Sequence, residues 1–259
     1  MSDLLDVIVL GIIEGVTEFL PVSSTGHLLI VENLEWVSRQ SDVFNTVIQS
    51  GAVLAVLAVF ARRVKQLILN WKSPETTDYL IKLGVSFFIT GLGGVVLKKA
   101  GLRLPAEVAP VALATLIGGI LILLIEHFLK GKSLGNEITW GVAIGVGIAQ
   151  LVAGAFPGTS RSGATILLAL AMGISRPIAT EFSFLLGIPT LFAAGGLELW
   201  QARHQLAAGN LFYLLIGTAV STITAFLVVK WLLKYVQTHT FIPFGWYRIA
   251  LGFLLFIIK

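Results

Sequence analysis

Cysteine is absent from the 259 residues, which excludes a disulfide framework, a thiolate zinc site and a cysteine nucleophile. Charge is scarce too. Only 12% of residues are Asp, Glu, Lys or Arg, about half the ~25% of an average soluble domain, while 56% are hydrophobic and the mean hydropathy is +0.90. That balance excludes a soluble globular protein. Met1 to Asp6 lack lysine and arginine, so no basic leader is expected and the whole chain is taken as mature. No basic stripe interleaved with aromatics runs along the sequence, so no nucleic-acid partner is expected. The net charge of +4 instead suits loops facing anionic lipid.

What the chain does have is apolar length. Crossing ~30 Å of hydrocarbon at ~1.5 Å per residue takes about 20 residues. Six charge-bounded stretches approach that length: 44–61, 79–97, 108–128, 181–200, 211–233 and 241–258. Two more, 4–31 and 138–172, are apolar at their ends but broken in the middle, by Pro21-Val-Ser-Ser-Thr-Gly-His27 and Pro157-Gly-Thr-Ser-Arg-Ser-Gly163. Irregular backbone at membrane depth is tolerated only where protein or a wet cavity surrounds it, so each break predicts a re-entrant helix–loop–helix. The expected fold class is all-α: a polytopic membrane protein with six transmembrane helices and two re-entrant pairs.

A constant offset of 136 matches Gly11 to Gly147, Glu14 to Gln150, Pro21 to Pro157, Ser24 to Ser160, Asn45 to Glu181 and Gly51 to Gly187. This divides a single membrane domain, 1–259, into repeats of about 1–130 and 137–259. Three crossings would separate the copies, and an odd number inverts the second, which places a shared site near the midplane. Arg62, Arg63, Lys65, Lys72, Lys130, Lys132, Arg176 and Lys234 are expected on the cytoplasmic side. Arg39, Lys98, Lys99, Arg103, Arg203 and Lys259 fall on the other. Six tryptophans near segment ends predict an aromatic belt. Glu126 and His127, closing a span, read as interfacial.

Chemistry concentrates at the breaks. Glu14 and Glu18, four apart, share a helix face, and two like charges there repel unless a cation joins them. Magnesium is typically held by one or two carboxylates plus substrate phosphate oxygens, which makes the pair a metal-site candidate; the bland alternative is an interfacial pair reaching water. Ser23, Ser24, Thr25 and His27 offer a hydroxyl three residues from an imidazole, enough for a nucleophile and base, although Ser-Ser-Thr after proline is also an ordinary N-cap. Arg161 among Ser160, Ser162, Gly163 and Thr165 looks like a phosphate cradle, with a guanidinium fork beside backbone N–H groups at a helix start. GxxxxGK[ST] is absent, which disfavours nucleotide hydrolysis.

Glu14-Gly-Val-Thr-Glu18-Phe-Leu-Pro-Val-Ser-Ser-Thr-Gly-His27 resembles the first signature of the undecaprenyl-diphosphatase family, bacterial membrane enzymes also called bacitracin-resistance proteins. Pro157-Gly-Thr-Ser-Arg-Ser-Gly-Ala-Thr165 resembles the second, and Val47–Gly51, Glu181–Leu186 and Phe241–Phe244 extend the likeness along the chain. The resemblance implies hydrolysis of undecaprenyl diphosphate to the monophosphate, recycling the lipid carrier of cell-wall synthesis in the bacterial plasma membrane. It implies a divalent metal, Mg2+ or else Ca2+, on Glu14 and Glu18, catalysis by Ser24 and His27, and Arg161 as phosphate ligand. Ser23, Thr25, Ser160, Ser162, Gly163 and Thr165 line the expected substrate site. Ser24 as nucleophile with His27 as base is the favoured arrangement, with a phosphohistidine as its rival. A homodimer stays open. Asn45 stands where the family commonly has an acid, and Gly154 precedes the second break where bulkier aliphatics are usual. The alternative function is a secondary transporter or flippase of an anionic lipid, since inverted repeats with broken helices also build carriers.

Overall fold

The computed structural model describes residues 3–101, 107–203 and 208–258; Arg103 and Lys259 lie outside them. Eleven helices appear among these residues: α1 (Asp3–Thr17), α2 (Ser24–Asn33), α3 (Asp42–Val59), α4 (Ala61–Leu69), α5 (Pro74–Lys99), α6 (Val108–Leu129), α7 (Trp140–Ala155), α8 (Arg161–Ala171), α9 (Arg176–Ala202), α10 (Ala208–Tyr235) and α11 (Ile242–Ile258). Their only sheet-like pairing is one isolated bridge between Gly135 and Ile174. Local chemistry sets many of the boundaries. Ser73 caps α5 through the Thr76 N–H, Pro74 opens its first turn, and Lys98 and Lys99 complement its C-terminal carbonyls.

Four helices, α5, α6, α9 and α10, are long and apolar enough to cross a membrane. A fifth span arises if α3 and α4, bent by 72° at Phe60, count together. The expected span over 241–258 becomes the 17-residue α11, about 26 Å long and short of the length test, so six crossings are not established by length alone. The protein is a multi-pass membrane protein with many large apolar side chains turned outward around a buried apolar core. Phe88, Leu92 and Val96 on α5 and Phe253 and Ile257 on α11 are exposed, as are all six tryptophans.

The two interrupted stretches fold as hairpins. Just past α2, the Ser38 backbone N–H donates to Asp6 Oδ2 near the start of α1 at 3.0 Å. Ahead of α7, Gly135 donates to Gly173 O and accepts from the Ser175 N–H beyond α8, each at 2.8 Å. Each hairpin therefore closes at its own base, and its arms of 10 to 16 residues, about 15–24 Å, do not span hydrocarbon. Their neighbours correspond in pairs: α1 packs on α10 as α7 does on α5, and α2 touches α11 as α8 touches α6. Glycine permits the first two approaches. A Cβ at Gly11 would strike Gly217 O, and one at Gly147 would strike Ser86 O.

The breaks correct the repeat register. Ser23 and Ser160 both sit at positive φ, 73° and 69°, and both cap the next helix by accepting from a glycine N–H, Gly26 and Gly163. These are the structural equivalents, 137 apart. The match of Ser24 to Ser160 is displaced by one residue because the second break is one longer, so the partner of Ser24 is Arg161. Glu126, which closes α6, is buried by its neighbours. It pairs with Arg176 and accepts the Phe241 N–H at 2.7 Å, which fastens the ends of α6, α9 and α11 together. Arg63 and Glu181 are joined nearby at the same end, at 2.8 Å, around a cavity shared with Asn136 and Glu137.

Candidate active site

The hairpin tips meet inside the bundle. From the first comes Glu18, one residue past α1, its N–H still bonded to Glu14 O at 2.9 Å. Its two carboxylate oxygens are divided between two partners. Ser24 Oγ–H donates to Oε2 at 2.9 Å, and Arg161 Nη2–H donates to Oε1, also at 2.9 Å. The acid is 7% exposed, so this ion pair lies in a poorly solvated interior where removing either partner strands the other.

Arg161 opens α8, and its guanidinium is wedged rather than free. It lies over the Phe19 ring at 5.1 Å, reaches Ser183 O at 3.4 Å and rests on Gly187, where a Cβ would occupy the space of Nη1. Its Nε–H is buried without an acceptor, so the protein alone does not satisfy all of its donors. Ser162 Oγ–H reaches back to Leu20 O at 2.9 Å and Glu18 O at 3.2 Å, which ties the second tip to the first. Ser160 Oγ stands 3.2 Å from Ser162 Oγ and accepts from the Gly163 N–H, while Thr165 Oγ1 is 2.6 Å from Ser183 Oγ. Thr25 is half-buried in the first turn of α2. Glu18, Ser24, Arg161 and Ser162 are thus one connected group, with Ser160, Gly163 and Thr165 behind it.

Glu14 is fully buried, and neither of its carboxylate oxygens has a hydrogen-bond partner; its carboxyl faces that of Glu18. Such a donor pair calls for a cation or a proton. No cluster of three or more metal-ligating side chains occurs among the described residues, so a divalent ion here would need ligand oxygens as well.

His27 departs from expectation. Its ring does not address Ser24: Nδ1 lies 2.7 Å from Ser23 O and Nε2 lies 2.6 Å from the Tyr247 hydroxyl, with the two rings stacked at 5.5 Å. The group beside Ser24 is the Glu18 carboxylate, so the expected serine–histidine pair is replaced by serine–glutamate, and the three-residue spacing misled because the imidazole turns toward α11.

Sequence reasoning also missed Arg248. Fully buried, it donates from Nη1 to Pro21 O in the first break and from Nη2 to Gly158 O in the second, and reaches Thr115 O and Ala114 O on α6, at 3.0–3.4 Å. Its partners are backbone carbonyls. A signal existed: Arg248 is the sole charge in 241–258, the same anomaly that singled out Arg161.

The model of bacitracin resistance protein BacA matches residues 7–254. A protein named undecaprenyl-diphosphatase from Rhizobium etli is 52% identical over 256 residues, covering 98% of this chain and 96% of its own. Proteins of the same name from Xylella fastidiosa, 48% identical with 98% of each chain covered, and Xanthomonas euvesicatoria, 47% identical with 97% and 96% covered, are similar along their whole length.

Proposed function

As the chain belongs to the BacA family of bacitracin resistance proteins, we propose that it hydrolyses undecaprenyl diphosphate to undecaprenyl phosphate and inorganic phosphate, within lipid-carrier recycling at the bacterial inner membrane. The observation that carries the mechanism is the double occupancy of Glu18, with a hydroxyl on one oxygen and a guanidinium on the other.

Arg161, with its unengaged Nε–H, and the N-terminal N–H groups of α2 and α8 hold the diphosphate oxygens. Ser24 Oγ attacks the terminal phosphorus while its proton passes to Glu18 Oε2, 2.9 Å away, and the bond from that phosphorus to the bridging oxygen breaks. Glu18 gives this proton to the departing polyprenyl phosphate. The freed carboxylate then deprotonates a water, which attacks the phosphoserine; Ser24 Oγ leaves and recovers a proton from Glu18. Glu14, with Glu18, would hold a divalent cation, magnesium on the chemistry of the donors. Bound there, the ion offsets phosphate charge.

The paired packing of the helices and the two self-closing hairpins support an inverted repeat of two re-entrant units whose tips share the site. Phosphate release from undecaprenyl diphosphate by purified protein in detergent tests the mechanism. Ser24→Ala, Glu18→Gln and Arg161→Ala should each lower it at least about 10²-fold, the scale of a lost transition-state or nucleophilic group. Trapping with labelled substrate should yield an acid-stable phosphoserine. An acid-labile phosphohistidine at His27, or full turnover in Ser24→Ala, would overturn the scheme.

A further inference from the structure

The two breaks are built alike except at one backbone bond. In the second, the first turn of α8 closes normally, with the Ala164 N–H 2.9 Å from Ser160 O. In the first, the equivalent bond from the His27 N–H to Ser23 O is stretched to 3.4 Å, and the His27 side chain takes the carbonyl instead, with Nδ1 at 2.7 Å. Ser23 is a non-glycine residue at φ 73°, a conformation L-residues enter only when their surroundings impose it. The residue held by this substitute bond is the one that precedes Ser24.

A carbonyl only accepts, so the bond to Ser23 O requires that Nδ1 carry the ring proton. In the neutral ring Nε2 is then a bare acceptor, and the Tyr247 hydroxyl at 2.6 Å is the group that donates to it. We propose that Tyr247 is a positioning residue for the hydrolysis: by donating to His27 Nε2 and stacking on its ring it holds the imidazole where Nδ1–H meets the strained Ser23 carbonyl, and thereby holds the placement of Ser24 against Glu18. Without that donor the ring is anchored at one end only and can swing away from Ser23 O, after which nothing fixes its tautomer and Ser23 would relax. The adjacent Arg248 already fixes Pro21 O two residues upstream, so consecutive residues of α11 grip the first tip on both sides of Ser23. Tyr247 is 47% exposed and packs its ring on His27, so losing the hydroxyl alone creates no cavity.

This inference rests on the reading of Ser24 as nucleophile, and the test separates the two. Protein labelled with 15N at its four histidines, in detergent, reports the tautomer of each ring, with His27→Gln assigning the signal. The native protein should show a protonated Nδ1 and a bare Nε2 at His27. In Tyr247→Phe, which keeps the stacked ring, the signal should move toward the opposite or mixed tautomer. At the same time kcat should fall roughly 10- to 100-fold while KM stays within about twofold, the pattern of a lost orienting partner. An unchanged tautomer, or an unchanged kcat, in Tyr247→Phe overturns the proposal. Full turnover in Ser24→Ala overturns the underlying site and the positioning role with it. Turnover lost in Ser24→Ala but retained in Tyr247→Phe removes the positioning role alone.

Discussion

At the scale of single residues, the centre of the molecule is an ion pair whose members each depend on the other. Glu18→Gln leaves a guanidinium among apolar groups, and Arg161→Met leaves a carboxylate there; each should cost about 3–5 kcal/mol of stability. The double variant Glu18→Gln/Arg161→Met should melt closer to the native protein than either single one does, although all three lose phosphate release. Thermal melting in detergent checks the order, and additive losses would count against a coupled pair. Glu14 behaves differently because nothing neutralises its carboxylate within hydrogen-bond reach. Glu14→Gln should abolish the response of phosphate release to added magnesium after EDTA treatment, with little change in melting temperature. Much of this group was legible in the sequence: an acid or a guanidinium in an apolar stretch is conspicuous, and Glu14, Glu18 and Arg161 all announced themselves that way. The pairing of Ser24 was not legible, since the spacing of Ser24 and His27 on one helix says nothing of where a ring on another helix draws the imidazole.

At the scale of elements, α11 is the part whose role the sequence concealed. Its apolar run reads as one more span, yet Arg248 holds carbonyls from both breaks and from α6. Arg248→Met replaces a long side chain with an apolar one, takes the Nη1–H donor from the buried Pro21 carbonyl, at about 1–3 kcal/mol, and removes the cross-links to Gly158 and α6, so the protein should lose thermal stability and activity together. Gly187→Ala should act more locally. The new methyl claims the space of the Arg161 guanidinium on α9, so phosphate release should fall at least tenfold, with helix content by circular dichroism unchanged. The break register was misjudged for a related reason. Proline and serine align by identity at 136, but the equivalence that folding respects is the capping turn, and that is set by Ser23 and Ser160.

At the scale of the whole molecule, the hairpins and their pairwise neighbours were foreseeable from two proline-interrupted stretches, whereas the number of crossings was not, because α3 bends into α4 and α11 is short. The bases of the two hairpins lie toward opposite ends of the bundle in the inverted reading, and a cysteine-free chain makes this measurable. In sealed vesicles, a membrane-impermeant maleimide should label Ser38→Cys from one face only and Lys132→Cys from the other only; both are exposed sites. Labelling of both from the same face would end the inverted arrangement. The bond between the hairpins also bears on how the chain is made. Glu18 and Arg161 are separated by 143 residues, so during synthesis the acid emerges long before its counterion exists. Until the second hairpin is translated and docks, the first has no guanidinium for its acid, which must stay hydrated or protonated in the meantime.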